Sequence, residues 1–152
     1  MKTLLSVLMF VLASLACTCG RAADRGSADE AVALVKTVVA DLRKHGREKI
    51  IQDVQNQAAR YRDRDLYIVI GTLDGVSVAN GSNPKLAGKN VIDIRDADGV
   101  FFMRERTALA KNKGAGWHRY RWLDPISKQM QKKSMYIERY EDLIVGCGIY
   151  IE

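Results

Sequence analysis

The sequence predicts an α+β domain in which helices come first and a five-stranded antiparallel sheet follows. Three observations predict it. Apolar residues recur at Val32, Val35, Val38, Val39 and Leu42, the three-and-four spacing of a helix with one buried stripe. The run Leu66–Thr72 (LYIVIGT) is apolar on both parities, as in a strand covered on both faces. The last third divides into three strand-like runs separated by the turn pairs Asp124-Pro125 and Glu141-Asp142.

The elements follow in order. A short polar lead precedes the long N-terminal helix, and Gly46 interrupts it. Ile50, Ile51, Val54, Ala58 and Tyr61 then resume a helical spacing, which predicts a second helix at an angle to the first. After Leu66–Thr72, Asp74-Gly75 is a hairpin signal, and Val76-Ser77-Val78 returns with alternation. Residues 80–90 (NGSNPKLAGKN) carry the glycine, proline and asparagine of a structured loop. Residues 101–111 form a short helix, ended by Gly114 and Gly116. Strands at 117–123, 133–140 and Leu143–Ile151 close the chain. In the last of these, Leu143, Val145, Cys147, Ile149 and Ile151 share one face. Ile144, Gly146, Gly148 and Tyr150 share the other, and the two glycines leave a patch open to close helix packing or to a ligand.

The front of the chain reads as an export signal. Lys2 supplies a positive start, residues 4–16 (LLSVLMFVLASLA) are apolar but too short to span a bilayer comfortably, and small residues follow. Cleavage after Ala22 makes residues 1–22 a signal peptide and 23–152 a single domain in the periplasm or outside the cell, where ATP-driven and nicotinamide chemistry are disfavoured. Lipid attachment at Cys17 competes, although Ser14 stands where a lipoprotein signal usually has Leu. Removal of that segment lowers the formal net charge of +6 by two, through Lys2 and Arg21. The remaining cations are scattered among acids and not gathered along one face, so nucleic acid is not an expected partner. Cys17 and Cys19 lie in or beside the signal, which leaves Cys147 as the one certain thiol and excludes an internal disulfide.

Catalytic and metal templates come up short. The two histidines, His45 and His118, have no nucleophile motif beside them, and Cys147 reads as a buried, inert thiol. Asp96, Asp98, Gly99 and Glu105 match part of a calcium-loop pattern, but Ile94 stands at its first position. That segment is expected to be an acidic turn capping the following helix, with no metal site and no cofactor. A polar and aromatic group is more promising. His118, Tyr120 and Trp122 lie on one face of their strand, and Ser134, Tyr136 and Glu138 on one face of the next. If those faces meet beside the glycine patch, they form the mostly apolar pocket with a few converging polar groups that small ligands favour.

From residue 28 to the end, the chain resembles the single Cache domains, extracytoplasmic sensory domains of bacterial receptors. The resemblance rests on Asp65-Leu66-Tyr67 with Leu73-Asp74-Gly75; Asn83-Pro84 through Leu86, Gly88, Lys89 and Asn90; and Asp96-Ala97-Asp98-Gly99. It continues in Phe102-Met103-Arg104-Glu105, Gly116-Trp117, Tyr120 with Trp122, Lys133-Ser134 with Tyr136, and the GCGIY run from Gly146 to Tyr150.

The resemblance implies a long N-terminal helix packed on a five-stranded antiparallel sheet of PAS-like form. It also implies a pocket that binds a small organic anion such as a short carboxylate, with a membrane receptor or kinase as partner, and no enzymatic activity. Carried over, the ligand-binding candidates are Arg104 and Lys133 to pair a carboxylate, Tyr120 and Tyr136 as hydrogen-bond donors, and Trp122 as an apolar wall. Two departures stand out. Asn80 occupies a position where the family often has histidine, and Lys133 and Tyr136, three apart, share a pocket only if a bulge intervenes or Lys133 precedes the strand. The family also keeps a membrane helix where this chain has its export signal, so the expectation is an exported sensory module released from its anchor. A ligand-independent partner of a receptor, its pocket filled by its own side chains, and a small extracytoplasmic enzyme are the two other readings.

Overall fold

A computed structural model describes residues 25–151, so the segment read as an export signal, residues 1–22, lies outside the described residues. Helix α1 (Ala28–His45) begins at Ser27, whose hydroxyl accepts from the Glu30 N–H (3.2 Å) while the Glu30 carboxylate accepts from the Ser27 N–H (2.7 Å). This reciprocal cap satisfies two of the free N–H groups at a helix start. Ala31, Val35, Val38, Val39 and Leu42 form the buried stripe, each large side chain contributing about 1.5–3 kcal/mol by leaving water. Gly46, at φ 84°, ends the helix with a backbone conformation that side chains disfavour.

Helix α2 (Arg47–Gln55) buries Ile50 and Val54 and is shorter than its apolar spacing predicts. Gln57, at φ 59°, stops it, and Tyr61 belongs instead to a single 3₁₀ turn, Ala59–Tyr61. Its hydroxyl donates to the buried Asp41 carboxylate (3.0 Å), which Arg60 also grips (2.9 Å). Tertiary packing thus holds Tyr61 inward without a helix.

The strands are β1 (Arg62–Asp63), β2 (Leu66–Thr72), β3 (Ser77–Asn80), β4 (Ala115–Leu123), β5 (Met130–Tyr140) and β6 (Leu143–Ile151). Five of them form an antiparallel sheet in the order β3-β2-β6-β5-β4, and the two-residue β1 pairs with the start of β2. Helix α3 (Phe102–Lys113) covers one face of the sheet, while α1 and α2 cover the other. The helix-α1 side holds Ile68, Ile70, Leu143, Val145 and Cys147. Cys147 is a buried free thiol whose pKa burial pushes up to about 12, so it stays protonated.

Between β3 and α3 the loop is tied down side chain by side chain. Asn80 accepts from the N–H groups of Ser82 (3.0 Å) and Asn83 (2.9 Å), and the Gln55 amide donates to the Pro84 carbonyl (2.7 Å). The acidic turn does not cap α3, whose N-cap is Phe101 with no side-chain bond. Asp96 instead closes its own turn, accepting from Asp98 and Val100 (both 2.9 Å), and its other oxygen accepts from the Arg121 N–H of β4 (2.9 Å). Those three donors explain the pattern as a clasp between loop and sheet.

Candidate functional site

On the α3 side of the sheet, register decides which side chains meet. Tyr120 of β4 stands opposite Lys133 of β5, and Lys133 opposite Tyr150 of β6. Directly opposed residues share a face. Phe102, Met103 and Arg106 of α3 close over this row, with Val91 and Ile94 from the preceding loop and Tyr67, Val69 and Gly71 from β2. The space they leave is about 50 Å³, counted as room for the centre of a water molecule. One water needs roughly 10–15 Å³ by that measure, so the cavity suits a ligand of a few heavy atoms.

Lys133 is fully buried. Its ammonium donates to the hydroxyls of Tyr67 (2.6 Å) and Tyr150 (3.2 Å) and lies over both rings, 3.9 and 4.6 Å from their centroids. Cation–π attraction of this kind offsets part of the desolvation of the charge. Burial, with the Arg106 charge adding to it, still draws the lysine pKa down to about 7. Burial also raises the pKa of both tyrosines, so both hydroxyls stay protonated.

Arg106 is also buried, its guanidinium beside the rings of Phe102 and Tyr120. Its Nε donates to His118 Nε2 (3.1 Å). Burial and the Arg106 charge hold the His118 pKa down at about 3, so the ring is neutral and offers its lone pair to the arginine. No acid among the described residues forms an ion pair with Arg106 or Lys133. Asp65 and Asp124, the acids nearest in electrostatic terms to Lys133, are both bound to Arg25 instead (3.1 and 2.6 Å). Arg106 therefore lines the cavity, and Lys133 lies behind its Tyr67 wall, each buried without a carboxylate partner among the described residues.

The sequence-derived candidates fall in three places. Tyr120 and Trp122 line the cavity, where Phe102 stacks on Tyr120 (4.6 Å) and meets Trp122 edge-on (5.3 Å). Lys133 sits beside it, bonded to the cavity-lining Tyr67. Arg104 and Tyr136 do not belong there. Arg104 is exposed, pairs with Asp93 (3.0 Å) and lies over Phe101, because residues two apart on a helix point about 200° apart. Its place in the cavity is taken by Arg106. Tyr136 points to the α1 side, against Trp117 (5.5 Å), because β5 pairs with β6 without a bulge from Lys133 to Tyr136. The same parity separates Ser134 and Glu138 from His118, Tyr120 and Trp122.

The glycine patch serves neither a helix nor a ligand directly. A Cβ on Gly148 would stand 2.5 Å from Lys133 Cε, and one on Gly146 would crowd Met135 and Ile137. The missing side chains let the lysine stem lie flat across β6 and deliver its ammonium to the tyrosines. Arg106, Tyr67 and Tyr150 escaped the sequence reading. Arg106 was accessible to it, since Phe102, Met103, Arg106, Thr107 and Ala110 follow one buried helical stripe. Tyr67, 66 positions from Lys133 in the chain, gave no local signal.

A helix-sheet-helix domain with a small, cationic, aromatic-walled cavity on one face of the sheet is the architecture of a sensory ligand-binding module. A family model described as Cache domain matches residues 26–152, and the chain belongs to that family. Methyl-accepting chemotaxis protein McpP of Pseudomonas putida is 35% identical over 98 residues, covering 63% of this chain and 18% of that protein. Sensor histidine kinase MctS of Rhizobium johnstonii is 29% identical over 91 residues, covering 59% and 20%. The chain thus spans about a fifth of the length of these curated relatives.

Among solved structures, one described as the basis for carboxylic acid recognition by a Cache chemosensory domain aligns with a TM-score of 0.69 at 27% identity. The alignment covers 82% of this chain and 92% of that one. A methyl-accepting chemotaxis protein from Vibrio parahaemolyticus aligns at 0.72 and 21% identity, over 82% and 88%, and shows the shared fold. The α+β architecture and the single Cache domain read from the sequence both hold.

Proposed function

We propose that this Cache domain binds a short carboxylate and reports its presence to a signalling partner outside the cytoplasm. The observation that carries this reading is a pair of buried basic residues, Arg106 in the wall of one small cavity and Lys133 beside it on Tyr67, with no acid paired to either among the described residues. A carboxylate entering there offsets the cost of burying basic groups without an acidic partner. Arg106 offers two terminal amino groups for a two-pronged grip, His118 fixes the guanidinium through Nε, and Lys133 and the tyrosine hydroxyls supply further donors. Phe102, Tyr120 and Trp122 confine a short apolar tail. The carboxylic acid recognition described for a structurally similar Cache domain supports the ligand class, and the chemotaxis and kinase relatives support the signalling role.

Calorimetry with acetate, propionate and pyruvate tests the reading. At least one binds, raising the melting temperature by mass action. Arg106→Gln weakens that binding by about a hundredfold, as loss of a buried charged partner predicts, whereas Arg104→Gln changes it less than about twofold. Equal losses in both variants, or none in either, would refute this placement of the site. We also propose that residues 1–22 are removed on export. Intact-mass measurement of the exported protein should find Ala23 as its first residue, and a lipid on Cys17 would contradict this.

A further inference from the structure

A second, larger cleft lies on the outer side of Tyr67 and Trp122, the two residues it shares with the inner cavity. Its volume is about 400 Å³ by the same measure. Arg62, Arg64 and Lys128 line it together with Ser82 and Asn83, and no acid lines it. Arg62 donates to Gln57 (2.9 Å), a neutral partner that leaves its charge uncompensated at that contact. The acids next to these residues in the chain are paired already, Asp63 with a residue of the cleft wall itself. Asp63 is held by Arg64 (2.6 Å), and Asp65 and Asp124 are held by Arg25.

Lys128 is placed at the cleft by its hairpin. Asp124 is buried and accepts from the Ile126 N–H (2.9 Å) and the Ser127 hydroxyl (2.7 Å). The Lys128 N–H donates to the Asp124 carbonyl (3.0 Å), and its backbone takes a φ of 58°. A lysine in a left-handed turn, at roughly 1 kcal/mol or more of local strain, is held there by the bonds around it.

We propose that this outer cleft is the loading route of the inner site: Arg62 and Lys128 draw an organic anion to it, and the anion passes between Tyr67 and Trp122 into the cavity. The route rests on the reading of the inner cavity as an anion site. Its chemistry follows from geometry, because a cleft lined by one sign of charge between low-dielectric walls concentrates counter-ions and speeds their capture. Tyr67 also couples the two compartments, since its hydroxyl is the nearest partner of the Lys133 ammonium. An anion arriving beside Tyr67 is attracted by that ammonium, which lies over the same ring. Arg62 and Lys128 act on the rate of arrival, while Arg106 and Lys133 act on how long the ligand stays.

The experiment uses the full chain carrying Trp117→Phe, so that Trp122 is the only tryptophan and its emission reports on the wall between the two spaces. Iodide, an anion, and acrylamide, a neutral quencher, are titrated at low salt. In the Arg62→Glu/Lys128→Glu variant, iodide quenching falls about threefold or more while acrylamide quenching holds, and the difference collapses at high salt. A Lys36→Glu/Lys44→Glu variant, which alters net charge equally at exposed positions on α1, leaves iodide quenching near its starting value. Stopped-flow mixing with propionate then shows association slowed about fivefold or more in the cleft variant, with dissociation unchanged within about twofold. Iodide quenching that is equal in the parent and the cleft variant overturns the proposal, as does an unchanged association rate. If propionate, acetate and pyruvate all fail to bind the parent, the inner-site reading falls by itself, and the iodide comparison alone decides whether the cleft gathers anions.

Discussion

Lys133 carries most of the argument at the scale of single residues, because its buried amine is held by two tyrosines beside the proposed site. Its pKa is about 7 in the fold against 10.5 for a free lysine. Between those values the unfolded chain holds a proton that the folded chain lacks. Its contribution to stability is therefore complete above pH 10.5 and is lost as pH falls through about 7. Without ligand, the melting temperature of the wild type should rise from pH 7 to 9 relative to Lys133→Met, which keeps the stem and removes the titration. Ligand binding has the opposite dependence, since a carboxylate selects the ammonium form. Affinity for propionate should fall by about tenfold per pH unit above 7, with proton uptake measurable by calorimetry in buffers of different ionisation enthalpy. A flat profile, or one that Lys133→Met shares, would mean that the lysine does not meet the anion.

At the scale of elements, β6 shows why two glycines occupy a central strand. Gly148 gives up its side chain to the stem of Lys133, so a methyl group there acts on the site more than on the fold. In Gly148→Ala the new Cβ meets Lys133 Cε at 2.5 Å and the Ser134 carbonyl at 3.0 Å, and the flexible lysine must give way first. Propionate affinity should fall about tenfold while stability drops by roughly 1–2 kcal/mol, the usual range for overpacking. A denaturation series paired with calorimetry checks it, and a loss of stability without loss of affinity would free Lys133 from its assigned role.

The same elements show what was legible in the sequence. Leu66–Thr72 and Leu143–Ile151 have the expected bounds, because turn residues punctuate them and period-two patterning is local. The opposite faces of Lys133 and Tyr136 were implicit in their separation by three. Only cross-strand pairing, which local sequence does not reveal, removes the bulge that would have joined them. The family motif points to Arg104, whereas the helical phase of the buried stripe points two residues on, to Arg106. The Tyr67–Lys133–Tyr150 cluster draws on β2, β5 and β6, and no short stretch of sequence announces such a meeting.

The whole molecule is one sheet with a core on each side, and a ligand on the α3 side must influence α1 if it is to signal through the N-terminal helix. One chain of contacts runs between them. Lys133 donates to the Tyr150 hydroxyl, which donates in turn to the Leu123 carbonyl (2.7 Å) at the end of β4. Asp124 follows immediately and grips Arg25 (2.6 Å), which lies over the Tyr150 ring (5.8 Å) and also bonds Asp65. Gly26 adds its N–H to Asp65 (2.7 Å), so the first residues before α1 are tied to β2 and to the β4–β5 hairpin at one point. A carboxylate that draws the Lys133 ammonium toward Arg106 relaxes its hold on Tyr150 and alters that knot. The quantity that measures coupling along this chain is how one site changes the opening free energy of the other. Hydrogen exchange of peptides covering the first turn of α1 should change by about threefold or more when saturating propionate is added to the wild type. In Tyr150→Phe, which keeps the ring under Arg25 and removes the hydroxyl, that response should vanish while propionate still binds within about tenfold of wild type. A response that persists in Tyr150→Phe would place the coupling elsewhere in the sheet, and no response in either protein would leave α1 outside the path of the signal.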